Sequence, residues 1–106
     1  YYRNYYLEFF NDLRPEVQKK FNWTLQLLTT LDKVPEKYFK HLEETKGIFE
    51  IRVEYESNTF RVFCFFDERN LIILMNGIHK KTQKTPIREI EKAVRIRKCY
   101  YEEKAR

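Results

Sequence analysis

Glycine, proline, cysteine and histidine are all scarce in this 106-residue chain, and each shortage narrows what it can be. With two Gly, three Pro, 42% hydrophobic and 35% charged residues, there is no linker, repeat or low-complexity tract. The composition is that of an ordered globule rather than a disordered tail. The length allows one domain around one core, residues 1–106, and no second globular unit. Cys64 and Cys99 lie far apart, with none of the CxxC or Cys/His spacings that hold zinc. Both read as reduced packing residues. His41 and His79 do not form a matched acid and base pair, and no His/Cys/carboxylate cluster has ligand spacing, so neither metal nor cofactor is expected. No apolar run approaches the roughly 20 residues that span a bilayer. The opening YYRNYYLEFF carries Arg3 and Glu8 and lacks a signal peptide's layout. A cytoplasmic protein without a membrane partner is expected, with a few native residues ahead of Tyr1, since no Met begins the chain.

Positive charge is present and unevenly placed. The formal net charge is +5, but residues 1–75 carry a net −1 and residues 76–106 a net +6. Concentration in the last third fits a face that binds a polyanion through its phosphates; a solvated lysine-rich helix is the plainer reading of the same charges.

The hydrophobic pattern predicts the elements. Tyr1 to Tyr6 reads as an edge strand, followed by a short helix on Leu7, Phe9, Phe10 and Leu13 that stops before Pro15. Val17, Phe21, Leu25, Leu28 and Leu31 recur at helical spacing behind Pro15. Residues 32–47 have no clean period and read as a connection, with Val34, Tyr38, Phe39 and Leu42 on the core. Phe49, Ile51, Val53 and Tyr55 then alternate with Glu50, Arg52, Glu54 and Glu56, a strand with one wet face. A turn at Ser57-Asn58 leads into the strand Thr59 to Phe66, and a third strand spans Leu71 to Met75. Antiparallel meander connections follow from the short turns. After Gly77, IHKKTQKTP reads as a cationic connection, with Thr85 as N-cap and Pro86 opening a final helix whose apolar stripe is Ile87, Ile90, Val94 and Tyr101. The expected fold is α+β: a small twisted antiparallel sheet with helices packed on one face.

Four stretches in this order, KHLEETKGIFEIRVEY (Lys40 to Tyr55), TFRVFCFFD (Thr59 to Asp67), ILMNGIHKKTQKTP (Ile73 to Pro86) and REIEKAVRIRKCYYEE (Arg88 to Glu103), carry a resemblance. Over nearly its whole length the chain resembles the RelE/HigB-like family of bacterial and phage-derived toxins, in its HigB-like branch. The resemblance implies a RelE-like fold and ribosome-dependent cleavage of messenger RNA. It also implies contact with ribosomal RNA and a cognate helix-turn-helix antitoxin that holds the toxin inactive. A non-catalytic module that blocks translation by occupying RNA or the ribosome is the competing class.

Metal-independent RNA cleavage uses the 2′-OH as nucleophile, so cations for the phosphorane and a proton carrier are the minimum set. Arg61 is the one charge in an apolar strand, and the resemblance matches it to a basic family position; it reads as a phosphate clamp, against an ordinary Arg at a strand's exposed end. Arg52 shares a face with Arg61 if the hairpin register cooperates, against a salt bridge to Glu50 or Glu54. Glu50 reads as solvated surface, with acceptance of a proton as the alternative. Lys80 and Lys81 are expected to hold phosphate, and mutual repulsion with Lys84 lowers lysine pKa enough for one to exchange protons. His79 is the other proton carrier in reach of neutral pH, whereas His41 reads as structural or surface. Lys84, Arg88, Lys92 and Arg95 are expected to bind RNA. Tyr100 and Tyr101 read as packing residues with a secondary stacking or proton-donating role. Where some family members carry a helix tyrosine this chain has Ile90, which leaves the general acid unassigned.

Overall fold

The computed structural model describes residues 1–31, 33–43, 45–68, 71–80 and 85–105, with the backbone alone at Lys80. The order of elements is α1 (Tyr5–Asn11), α2 (Pro15–Thr30), β1 (Phe39–His41), β2 (Ile48–Tyr55), β3 (Asn58–Asp67), β4 (Leu71–Lys80) and α3 (Ile87–Lys104). The four strands form one antiparallel sheet in sequential order, β1-β2-β3-β4. This is the α+β single domain that the alternating pattern implied.

Helices cover both faces of the sheet, where the sequence had suggested one. On one face α3 sets Ile90, Ala93 and Ile96 against Ile48, Phe63, Phe65, Ile73 and Met75. On the other, Tyr6 of α1 with Val17 and Phe21 of α2 meets Ile51, Val53, Phe60, Val62 and Cys64. The reason lies in β3, which is apolar on both sides of its pleat; residues 60–65 are all buried, as in a strand sandwiched between layers.

Several boundaries differ from the sequence reading. No strand runs over residues 1–6; Tyr2 makes a single backbone bond, its N–H donating to the Leu74 carbonyl at 3.1 Å, and α1 begins at Tyr5. The unpatterned segment contains β1, too short to show a period, paired Phe39↔Ile51 to His41↔Phe49. The β2–β3 turn is Glu56-Ser57, with φ of 48° and 67°, one residue earlier than expected. These two left-handed residues suit a tight hairpin whose twist matches the strands. Strand β4 runs five residues beyond Met75, so His79 and the Lys80 backbone belong to a strand rather than a loop. In α3 the buried stripe is Ile90, Ala93 and Ile96, while Ile87 is 66% exposed and Val94 and Tyr101 also face outward. Cys64 is buried, and burial pushes its thiol up; Cys99 is exposed and does not pack.

Gly77 decides how α1 sits on β4. A Cβ there would meet the Phe9 ring at 2.5 Å from Cδ2. Gly77→Ala is therefore expected to cost about 1–3 kcal/mol, the usual penalty of overpacking, read as a lowered midpoint in thermal unfolding. An unchanged midpoint would mean that α1 moves off β4 freely.

Candidate active site

Antiparallel register fixes which charges meet. In the β2–β3 ladder Glu50 pairs with Phe63 and Arg52 stands directly opposite Arg61, so all three side chains project from the α3 side of the sheet. Two arginines opposite each other repel, and a carboxylate must lie between them. Glu50 Oε1 is 2.7 Å from Arg52 Nε and 3.7 Å from Arg61 Nε. Its other oxygen, Oε2, accepts a hydrogen bond from the Thr85 hydroxyl at 2.6 Å, and Arg61 Nη1 donates to the Thr85 oxygen. Thr85 thus closes a ring of polar contacts just before α3 begins.

Burial separates the members. Glu50 and Arg61 are each 1% exposed, while the Arg52 side chain keeps 25% of its surface in solvent. Burial pulls the Arg61 guanidinium below its ordinary pKa, and the Glu50 carboxylate opposes that pull. Three readings are corrected. Glu50 is not wet surface, because α3 and Thr85 cover that face. Nor is Thr85 an N-cap, since its hydroxyl is committed to Glu50, and Pro86 occupies the cap position without a side-chain cap bond. Arg61, too, is deep in the sheet and not at an exposed strand end. The cluster presents one partly exposed cation, Arg52, backed by a buried carboxylate and a buried guanidinium.

The other sequence candidates fall into separate places. The strand ladder pairs Thr59 with Lys80 and Arg61 with Ile78, so the backbone of β4 ends two residues past the position opposite Arg61. Lys81 and Lys84 lie outside the described residues. His79 pairs with Phe60 and so faces away from Arg52 and Arg61. Its ring stacks on Phe60 with centroids 4.5 Å apart, and Nε2 lies 3.0 Å from Asn58 Oδ1. Arg88, Lys92 and Arg95 are exposed on α3, spaced three and four residues apart and therefore aligned on one outward stripe. His41 is structural, its Nε2 accepting the Gly47 N–H at 3.2 Å.

Tyr100 belongs to the far end of β3. Its hydroxyl donates to Asp67 Oδ2 at 2.6 Å, beside Lys104 Nζ at 2.7 Å from the same oxygen. The Lys104 and Tyr100 hydrogen bonds hold the Asp67 carboxyl below the usual range, and the bond to Asp67 pushes the Tyr100 phenol up. Asp67 is six residues along β3 from Arg61, roughly 20 Å at strand rise, so Tyr100 does not join the arginines. Ile90 is core. Among the described residues no group of three or more His, Cys, Asp and Glu is placed to hold a metal ion, and no helix is long and apolar enough to cross a membrane.

The family described as "Phage derived protein Gp49-like (DUF891)" matches residues 8–98, which include the whole of β1 to β4 and the Glu50, Arg52, Arg61 and Thr85 cluster. No curated protein matches the chain.

Proposed function

The chain belongs to the family of phage-derived Gp49-like proteins, a toxin type of toxin–antitoxin systems related to RelE-type endoribonucleases, and on that premise we propose that it is a ribosome-dependent messenger RNA endoribonuclease of the RelE/HigB kind. Its partners in this reading are messenger RNA on the ribosome, ribosomal RNA and a cognate antitoxin of the helix-turn-helix type. The observation that carries the reading is the Arg52–Glu50–Arg61 cluster at the sheet end where the basic β4–α3 connection departs.

In this mechanism Arg52 contacts the scissile phosphate through its exposed edge and neutralises the charge that builds on the phosphorane. Glu50 fixes the Arg52 fork, and Arg61 with Thr85 fixes Glu50, so Arg61 acts as a positioning residue and reaches phosphate only if Thr85 gives way. Lys80 and Lys81 add charge, and one of them relays the proton between the 2′-OH and the leaving 5′-oxygen. His79, on the other face, touches RNA and not the reacting phosphate. Lys84, Arg88, Lys92 and Arg95 bind the flanking backbone. The burial of Glu50 and Arg61 equally favours a second reading, in which the cluster only stiffens the sheet and the basic face blocks translation by occupancy.

Mapping RNA 5′ ends after induction, with and without actively translating ribosomes, separates the two. New ends that need translation are expected, with 2′,3′-cyclic or 3′-phosphate on the upstream fragment, the products of 2′-OH attack. Arrested translation without new ends would leave occupancy alone.

Binding to ribosomes or RNA is expected to weaken steeply with salt, since residues 76–106 carry a net +6. Log affinity should fall against log salt by about 0.7 for each phosphate contacted on a single strand. A titration that is flat between low and physiological salt would rule out recognition through phosphates.

A further inference from the structure

We propose that the groove on the α1–α2 side of the β2–β3 hairpin is a binding site for a single RNA base, guanine above the others. The proposal rests on the RNA-directed reading above, which supplies the ligand class. The groove encloses about 480 Å³, within the range of small-ligand sites. Its floor is aromatic. Tyr55, Phe60 and His79 share this sheet face through the pairs Tyr55↔Asn58 and Phe60↔His79, and His79 lies nearly parallel to Phe60 at 19°. Phe9 and Leu13 overhang it from α1 and the turn after it.

The rim is polar and already balanced. The Arg14 guanidinium lies 5.2 Å from the Tyr55 ring centroid and pairs with Glu56 at 3.5 Å and Glu16 at 3.6 Å. Asp12 and the Asn58 amide complete it. A phosphate would meet a cation that two glutamates have neutralised, and a purely apolar ligand would match the floor but not the rim. A base fits both parts: its face stacks on the aromatic floor once the half-exposed Arg14 guanidinium lifts from Tyr55 to cover it, and its edge answers the rim. Guanine offers a ring N–H beside an exocyclic amine, and a carboxylate with two acceptor oxygens takes both.

The test is a protein-observed NMR titration of the full chain with guanosine, adenosine, cytidine and uridine 5′-monophosphates and with ribose 5-phosphate. Shifts are expected at Tyr55, Asn58 and His79, strongest for guanosine monophosphate and absent for ribose 5-phosphate. Tyr55→Ala should weaken guanosine monophosphate about 5- to 150-fold, the loss of one base–aromatic stack. Arg14→Ala, an exposed change, should weaken it in the same direction with the fold intact, and Asp12→Asn should abolish the preference for guanine. The site is overturned if ribose 5-phosphate shifts the groove as strongly as the nucleotides, if shifts gather only around Arg52, or if none occur. Binding is read without ribosomes or cleavage. A chain that binds guanosine monophosphate here and cleaves nothing keeps the site and ends the endonuclease reading, while the reverse ends the site alone.

Discussion

Replacing Arg52 by Ala is expected to slow single-turnover cleavage of ribosome-bound message about a hundred- to a thousandfold while the chain still unfolds cooperatively. Losing one preorganised contact to a developing oxyanion typically costs about 3–4 kcal/mol of transition-state stabilisation. The stability loss should be smaller, about 1–2 kcal/mol, because the Arg52–Glu50 contact is an ion pair and a quarter of the Arg52 side chain remains in solvent. Arg61→Ala cannot make this separation. Arg61 is buried against Glu50 and Thr85, so its removal damages the fold and the site together. Wild-type cleavage by a folded Arg52→Ala protein would show that phosphate is held elsewhere.

Glu50→Ala should be the most destabilising single change in the cluster, about 3–5 kcal/mol by urea denaturation. Removing one partner of a buried ion pair leaves the other charge uncompensated. Here the charges that lose this carboxylate are two arginines directly opposed across the ladder, one of them only 1% exposed. Replacing Glu50 and Arg61 together by apolar residues of similar volume should cost much less than Glu50→Ala, since no buried charge is then stranded. If Glu50→Ala costs under about 1 kcal/mol, the cluster is hydrated and the buried carboxylate does not hold the arginines.

The strands and α2 were legible in the sequence because their periods are long enough to read. Phe49 to Tyr55 alternates over seven residues, and Val17 to Leu28 keeps helical spacing. Strand β1 has three residues and no period to detect. Residues 60–65 alternate, with Phe60, Val62 and Cys64 on the α1–α2 side and Phe63 and Phe65, with Arg61, on the other. The consequence of that alternation was missed: if both sides are apolar, both need a covering layer. From that it follows that Arg61 is buried, and that Glu50 and Arg52, on the same face of the neighbouring strand, are covered or nearly so. The cue for the ion cluster was thus present in β3, not in β2, where Glu50, Arg52 and Glu54 look like any wet edge.

Thr85 was misread for a different reason. A Thr before Pro and a helical run is a good N-cap pattern, and nothing local announces a buried carboxylate 35 residues earlier in the chain. The alignment of Arg52 with Arg61 was expected conditionally and depends on the turn; a hairpin turning at Glu56-Ser57 gives it, with Tyr55 opposite Asn58. His79 was grouped with Lys80 because the two are adjacent in sequence. The register instead pairs His79 with Phe60, on the face away from Arg61, a placement that follows once β4 is extended past Gly77. The aromatic groove draws on α1, the α1–α2 turn and two strands, so no single stretch of sequence displays it.

The most direct measurement is the length of a defined message in a purified translation system after adding the wild-type chain. Cleaved message on translating ribosomes, intact message when the same RNA is free, and cyclic or 3′-phosphate ends on the upstream fragment are the expected result. Full-length message on ribosomes that have stopped translating would contradict it.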